Sequence, residues 1–139
     1  PARFTTVFDQ VREVLKNFQS SGIALGLCTN KPQGATDVVL EEFGLTSFFG
    51  SIVGGDRLSS RKPDPAMLHL VLEELAVERC LFVGDSEVDV ATAKAAGVPI
   101  ALFTQGYRQT SVAELAPDFN FDDFKNLPAI AALFIAAAP

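Results

Sequence analysis

The stretch Leu81–Val90 (LFVGDSEVDV) constrains the fold more than any other part of the chain. An apolar run ends in Gly84, two carboxylates follow at Asp85 and Asp89, and a segment of small residues continues to Gly97. This order is typical of a buried strand that turns into a helix. Because ligands collect at the carboxyl ends of the strands in an open α/β sheet, Asp85 is predicted to lie at the mouth of a crevice.

Asp85 and Asp89 are predicted to form a metal site. They are four residues apart, which is about one helical turn, so both carboxylates can reach the same small volume. Two acids this close repel each other unless a cation lies between them, and hard oxygen ligands suit Mg²⁺. Alternatively, Asp85 or Ser86 only caps the helix, and Asp89 is a solvated acid in its first turn. This stretch alone leaves both interpretations open.

The size and charge of the chain argue against several classes of protein. Its 139 residues fit one domain with a core large enough to be stable. The net charge of −6 disfavours nucleic acid or an anionic membrane as a partner, since both require a clustered basic surface. No apolar run reaches the roughly 18 residues of a membrane span, and no secretion signal opens the sequence. We expect a cytoplasmic protein that binds a metal ion or a small metabolite.

Strands and helices alternate along the sequence, which predicts a doubly wound, mainly parallel sheet with helices on both faces. The predicted strands are Ile23–Cys28, Ser51–Gly55, Cys80–Val83, Pro99–Phe103 and a weak strand near Asp118–Phe121. The predicted helices cover about 11–21, 34–43, 65–76 with Asp64 as N-cap, 91–96, 111–115 and the apolar tail 129–138, and residues 1–9 are expected to be extended or irregular.

Three single residues are predicted to have no part in a site. Cys28 and Cys80 each lie in an apolar run without CxxC spacing, so both should be free thiols. His69, the only histidine, lies on a predicted helix away from the polar strand ends, and we expect it at or near the surface.

Polar groups follow three of the predicted strands, and together they suit phosphoryl transfer. That transition state spreads negative charge over three oxygens, so it needs hydrogen-bond donors, a fixed cation and a divalent metal. Thr29 and Asn30 can donate to phosphoryl oxygens, and Lys62 can neutralise them as a point charge. Asp85 and Asp89 can hold Mg²⁺.

Three motifs in this order resemble motifs two, three and four of the haloacid dehalogenase superfamily. The chain is most similar to its phosphoglycolate phosphatases, and the likeness extends over essentially the whole sequence. The motifs are Leu27–Pro32 (LCTNKP), Gly54–Asp56 (GGD) leading to Lys62–Pro65 (KPDP), and Val83–Asp89 (VGDSEVD).

The resemblance implies a Rossmann-like core and a Mg²⁺-dependent phosphomonoester hydrolase that works through an aspartyl-phosphate. Thr29 would bind the transferring phosphoryl group as a catalytic residue, and Asn30 would assist in binding the substrate. Lys62 would pair with both the nucleophile and the phosphate. Asp85 would be a metal ligand, and Asp89 would support the metal site through water or through Lys62.

The sequence departs from the superfamily at the nucleophile. Members open with a strand that ends in Asp-x-Asp, whose first Asp is the nucleophile and whose second is the general acid/base, but no such triplet occurs in these 139 residues. Asp9 is the only early candidate, and we expect it at a helix start instead. Without a nucleophile covalent hydrolysis has no first step, so this stretch alone is predicted to be inactive.

The missing strand is the central one of the sheet in this superfamily, so its loss would leave two inner edges facing a gap. Unpaired inner edges are costly. The sequence is therefore expected to be the carboxyl-terminal portion of a core domain, without a cap, from a longer protein, or else another segment or self-association fills the gap. Direct pairing of the strands that end at Thr29 and Gly84 would instead show that the sheet had closed.

Other functions stay open at this point. A phosphomutase of the same superfamily would use the same groups on a small phosphorylated metabolite, and substrate choice is expected to depend on the cap. A phospho-accepting receiver domain also uses Asp, Thr, Lys and Mg²⁺, but its acidic pair comes first and its Lys last, opposite to the order here. A non-catalytic remnant that binds metal or phosphate as an interaction module is the third alternative.

Overall fold

The computed structural model describes residues 7–137, and their alternation of strands and helices is the predicted one. The strands are β1 Gly26–Cys28, β2 Ser51–Val53, β3 Phe82–Gly84, β4 Ile100–Phe103 and β5 Phe119–Phe121. The helices are α1 Val7–Ser20, α2 Gln33–Glu42, α3 Ala66–Leu75, α4 Glu87–Ala96, α5 Val112–Leu115 and α6 Leu127–Ala136, with short 3-10 turns at Thr46–Phe48 and Phe124–Asn126.

All strand pairs are parallel, as predicted, but they form two separate sheets. In one sheet β1 pairs with β2, with Leu27 opposite Ile52. In the other, β4 lies between β3 and β5, with Val83 opposite Ala101. Within residues 7–137, no strand pairs with the second edge of β1 or of β3, and these two strands do not pair with each other. The expected gap is therefore present and has not closed.

The gap between β1 and β3 is an apolar cavity of about 390 Å³. Helix α3 lines it from one face of the sheet, and α1 and α6 line it from the other, through Phe18, Leu68, Val71, Leu72, Leu127, Ala131 and Phe134. The two inner strands are also the less buried ones: Val83 in β3 is 40% exposed, whereas Val53 in β2 and Ala101 in β4 are fully buried. The centre of the fold is thus open where a complete sheet would be densest.

Several helix boundaries differ from the predicted ones by a few residues. Helix α1 begins at Val7, so the prediction of irregular chain up to Asp9 was wrong for residues 7–9, and residues 1–6 lie outside the described part. Asp9 lies in the first turn of α1, where its Oδ1 is 3.6 Å from Arg12 Nη1. Helix α3 begins at Ala66, one residue later than predicted, because Pro65 takes the N-cap position.

The prediction of Asp64 as the N-cap of α3 was wrong, since Pro65 holds that position, whereas the packing of the last helix on the sheet follows the prediction. Asp64 Oδ1 accepts a hydrogen bond of 2.9 Å from Ala66 N, so this carboxylate does satisfy an amide at the start of α3. Helix α6 packs on α1 and on the β4–β5 side of the sheet through Leu127 and Ala131. It ends at Ala136, and the predicted end at Ala138 lies outside the described residues.

The predictions of free cysteines and of a histidine at or near the surface are confirmed. Cys28 and Cys80 are free thiols, and His69 is exposed on α3. None of the helices in residues 7–137 combines the length and the apolar character that crossing a membrane requires.

Candidate functional site

Asp89 is the most connected residue at the carboxyl end of β3. Its Oδ1 accepts a hydrogen bond of 2.7 Å from Lys62 Nζ, and the two side chains are only 10% and 13% exposed. Its Oδ2 accepts from Asp85 N at 3.0 Å and from Ser86 Oγ at 3.1 Å. Burial acts to raise the pKa of Asp89, but the hydrogen bond and the charge of Lys62 outweigh it and hold the pKa below its usual range.

Ser86 and Asp89 also form the start of α4. Ser86 is the N-cap, its Oγ accepts from Asp89 N at 3.2 Å, and the Asp89 carboxylate reaches back to Ser86 N. This reciprocal arrangement is a capping box. The capping alternative considered for this stretch is therefore correct for Ser86, while Asp89 is a buried, paired carboxylate rather than a solvated one.

Asp85 presents the more open of the two carboxylates. Its side chain is exposed, in contrast to that of Asp89. Partial burial and the neighbouring negative charge of Asp89 raise the pKa of Asp85, and the positive charge of Lys62 only partly opposes them. A cation bound at this carboxylate would relieve both effects.

Asn30 ties the end of β1 to the loop that carries Lys62. Its Oδ1 accepts from Lys62 N at 2.9 Å, and its Nδ2 donates to Lys62 O at 3.1 Å. The backbone of Asn30 also runs directly against Gly55, where a Cβ would lie 2.1 Å from Asn30 O, so this close approach requires glycine. Asn30 therefore positions Lys62, a role that sequence reasoning did not give it.

Thr29 lies next to Asn30 at the same strand end, and its Oγ1 accepts from Lys31 N at 3.2 Å. Its own backbone N–H donates to Val53 O at 3.0 Å, which continues the pairing of β1 with β2. Direct contacts then lead from Asn30 to Lys62, Asp89 and Asp85. The side chains that follow β1 and β3 are therefore linked at one place through Lys62.

The sequence matches a known protein family. Residues 2–103 match the family described as Haloacid dehalogenase-like hydrolase. The chain belongs to this family. Among curated relatives, a phosphoglycolate phosphatase of Cereibacter sphaeroides (strain ATCC 17029 / ATH 2.4.9) is 47% identical over 128 residues, which are 92% of this chain and 59% of the relative. The chain thus spans little more than half the length of such relatives.

Solved structures of the haloacid dehalogenase-like hydrolases superpose on the same core. A predicted phosphoglycolate phosphatase from Haemophilus somnus 129PT aligns with a TM-score of 0.83 and 33% identity, over 88% of this chain and 56% of the other. A Thermotoga maritima protein assigned as a beta-phosphoglucomutase aligns with a TM-score of 0.78 and 29% identity, over 88% and 58% of the two chains. Both are similar to this chain in fold, and neither is covered over its full length.

The residues at this site fit part of a magnesium shell. Mg²⁺ in proteins is commonly held by one or two carboxylates and keeps several waters. Asp85 offers an exposed carboxylate of this kind, whereas both oxygens of Asp89 already accept hydrogen bonds. Residues 7–137 contain no cluster of three or more Asp, Glu, His or Cys side chains suited to a metal. This donor set suits one direct ligand, Asp85, supported by Asp89 through Lys62 or water.

Sequence reasoning missed one acidic residue near the site. Glu87 Oε1 accepts from the backbone N–H of Gln109 at 2.6 Å and of Thr110 at 2.8 Å. The hydrogen bond from Thr110 contributes most to lowering the pKa of Glu87, and the hydrogen bonds from its own amide and from Gln109 add to this effect. The partners lie 22 and 23 positions away and are main-chain groups, so no local pattern in the sequence could have revealed them.

Two further basic residues, Lys31 and Arg108, follow the ends of β1 and β4. Lys31 is exposed beside Thr29. Arg108 turns back onto its own loop, where its Nη1 donates to Thr104 O at 2.9 Å. Within residues 7–137, its buried Nε has no hydrogen-bond partner.

Proposed function

We propose that this chain forms most of the phosphate site of a Mg²⁺-dependent phosphomonoester hydrolase that acts on a small phosphorylated metabolite. The observation that supports this function best is the continuous contact from Asn30 through Lys62 and Asp89 to Asp85, where β1 and β3 end. A donor pair, a fixed ammonium and an exposed carboxylate around one point suit a phosphoryl group and its metal.

Each side chain has a defined task in this proposal. Thr29 Oγ keeps its own hydrogen for a phosphoryl oxygen, because the contact with Lys31 N uses only an acceptor position. Lys62 is fixed from two sides, by Asn30 at its backbone and by Asp89 at its ammonium, so its charge stays at one place. Asp85 would hold the metal directly, and Asp89 would hold the Lys62 ammonium group and the Asp85 backbone at fixed positions relative to each other.

When bound, Mg²⁺ supplies positive charge that neutralises the phosphate oxygens. The protein side chains do the positioning, and their preset geometry lowers the cost of binding a dianion. Because the chain carries no Asp-x-Asp triplet, we propose that it needs a further carboxylate as the nucleophile that becomes the aspartyl-phosphate. By itself the 139-residue chain is expected to bind but not to turn over phosphate esters.

That carboxylate is proposed to arrive on a strand that fills the gap between β1 and β3. Three features support this part: both edges are unpaired within residues 7–137, the cavity is apolar from both faces, and its lining includes Cys28 and Val83, which come one residue before Thr29 and two residues before Asp85. A strand buried on both faces of a parallel sheet is expected to be apolar throughout. The curated relatives, of which the chain covers 59% or less, have the additional length to supply such a strand; self-association across the gap is the alternative occupant.

Phosphoglycolate is the proposed substrate, because curated relatives at 45–47% identity are phosphoglycolate phosphatases. A phosphomutase is the second candidate, supported by the likeness to the Thermotoga maritima structure. A cytoplasmic location remains a prediction from the sequence. Turnover of phosphoglycolate, compared with isomerisation of glucose 1-phosphate by a protein that joins this chain to the proposed strand, separates the two activities.

A binding experiment tests the site without requiring turnover. Titration calorimetry of the 139-residue chain with Mg²⁺ is expected to show binding that Asp85→Asn abolishes and that Asp122→Asn, at an exposed carboxylate outside the site, leaves intact. Inorganic phosphate should bind more tightly when Mg²⁺ is present, because each ligand reduces the repulsion that the other would meet. Equal Mg²⁺ binding by the Asp85 variant would refute the proposed site.

A further inference from the structure

The loop between β4 and α5, Thr104–Thr110, lies directly on the side chain of Asp85. A Cβ added at Gly106 would be 2.5 Å from Asp85 Cβ and 2.6 Å from its Oδ2. Real Cβ atoms do not come this close to other heavy atoms, so only glycine permits this approach. One side of the Asp85 carboxylate is therefore covered by main chain from a different loop.

Burial of side chains does not hold this loop in place. Gln105, Tyr107 and Gln109 are all exposed, and Tyr107 is 87% exposed. The loop is instead fixed by polar contacts at its two ends. Arg108 Nη1 donates to Thr104 O and closes the loop on itself, while Glu87 Oε1 accepts from two successive backbone N–H groups, those of Gln109 and Thr110.

Glu87 is well placed to transmit the position of the loop to Asp85. It is the first residue of α4 and comes two residues after Asp85, so a displacement of the Glu87 contact changes the loop and the strand end together. Few buried apolar contacts and an exposed chain mark a segment of low local stability. In such a segment, two short hydrogen bonds to one carboxylate contribute much of the order.

We infer that Glu87 is a positioning residue: it fixes the loop Thr104–Thr110 so that Gly106 lies against Asp85 and limits the orientations of the Asp85 carboxylate. The contact itself is independent of any activity. Its meaning for metal binding rests on the proposed function, in which Asp85 is the direct ligand. A cation would then reach the Asp85 carboxylate from a side that the loop does not cover.

Three variants of the 139-residue chain test this inference: Glu87→Ala, Glu87→Gln and, as a matched control, Glu73→Ala on the exposed face of α3. Hydrogen exchange of the Gln109 and Thr110 amides is expected to accelerate about tenfold or more in Glu87→Ala, as loss of hydrogen bonds to a charged acceptor implies. Glu87→Gln keeps an acceptor oxygen and should restore most of the protection. Glu73→Ala should leave both amides as they are in the original chain.

A second measurement separates positioning from simple loop ordering. The NMR resonance of the Asp85 carboxyl carbon should move in Glu87→Ala and return in Glu87→Gln. Gly106→Ala should move the same resonance while Glu87 is intact, because its methyl group cannot fit against Asp85. The affinity for Mg²⁺ should fall severalfold in both Glu87→Ala and Gly106→Ala.

The outcomes distinguish this inference from the proposed function. Unchanged exchange of Gln109 and Thr110 in Glu87→Ala would overturn the inference, and so would faster exchange with an unmoved Asp85 resonance. If both structural readouts change as expected but the original chain binds no Mg²⁺, the positioning contact stands and the proposed metal site fails.

Discussion

Replacing Lys62 by Met should reveal how strongly the site depends on its central ion pair. The Lys62 and Asp89 side chains are 13% and 10% exposed and their charged atoms are 2.7 Å apart. Removing one partner of a buried pair leaves the other charge buried and uncompensated, at a cost of about 3–5 kcal/mol. Because backbone and Ser86 donors still serve Asp89 Oδ2, we expect the lower end of this range, about 3 kcal/mol.

The pH dependence of this loss follows from the pKa of Asp89. Lys62 holds that pKa below its usual range, so the pair stabilises the fold at pH values above about 4, near the unfolded pKa of Asp. The contribution disappears as the pH falls through the lower, folded-state pKa and Asp89 becomes protonated. The difference between the original chain and Lys62→Met should therefore be largest at pH 6–7, on the order of 3 kcal/mol, and should shrink in acid.

Urea unfolding followed by circular dichroism at several pH values measures this difference directly. The matched control is Lys125→Met, which removes a pair with Asp123 at 3.5 Å in which the lysine is 78% exposed. Such surface pairs contribute about 0–1 kcal/mol, with little dependence on pH near neutrality. A loss for Lys62→Met no larger than that of the control, or one that is the same at pH 7 and in acid, would refute the reasoning.

Three further predictions concern the glycine contact, a thiol and the two sheets. Gly55→Ala should destabilise the fold by about 1–3 kcal/mol or break the hydrogen bonds between Asn30 and Lys62, because the added methyl group would meet Asn30 O. Thermal melting measures the first effect and the Asn30 side-chain NMR signals measure the second. Burial raises the pKa of Cys80 to about 11, so this thiol should react with iodoacetamide at pH 7.5 roughly a hundredfold more slowly than an exposed thiol. Mass spectrometry of the alkylated site measures the rate, and a fast reaction would contradict the prediction. Backbone amides of β4, which is paired on both sides, should exchange more slowly than those of β3, and equal rates would contradict an open edge at β3.

The parts of the fold that the sequence predicted well are those set by local order along the chain. An apolar run followed by polar residues defines the ends of β1 and β3, so the sequence alone could place Thr29, Asn30 and Asp85 at strand ends. The strands themselves are shorter than predicted. The predicted strand Ile23–Cys28 is reduced to Gly26–Cys28. On one edge it pairs with the three residues Ser51–Val53, and on its other edge no strand within residues 7–137 pairs with it.

The contacts that complete the site could not be predicted, because they join residues far apart in the sequence. The reciprocal pair of hydrogen bonds between Asn30 and Lys62 spans 32 positions, and Glu87 reaches main-chain groups 22 and 23 positions away. Any backbone N–H group in the loop could have donated to Glu87, so the residues near Glu87 in the sequence do not indicate which group does. Tertiary placement alone decides such contacts.

The division of the strands into two sheets has a consequence for how this pocket is assembled. Asn30 and Lys62 belong to the half built on β1 and β2, whereas Asp85 and Asp89 belong to the half built on β3, β4 and β5. The Lys62–Asp89 bridge is a direct side-chain link between these halves at the pocket. The separation of the two halves therefore sets the distance between Lys62 and the Asp85 carboxylate at the proposed phosphate site, so that a strand entering the gap would adjust how these two groups face each other.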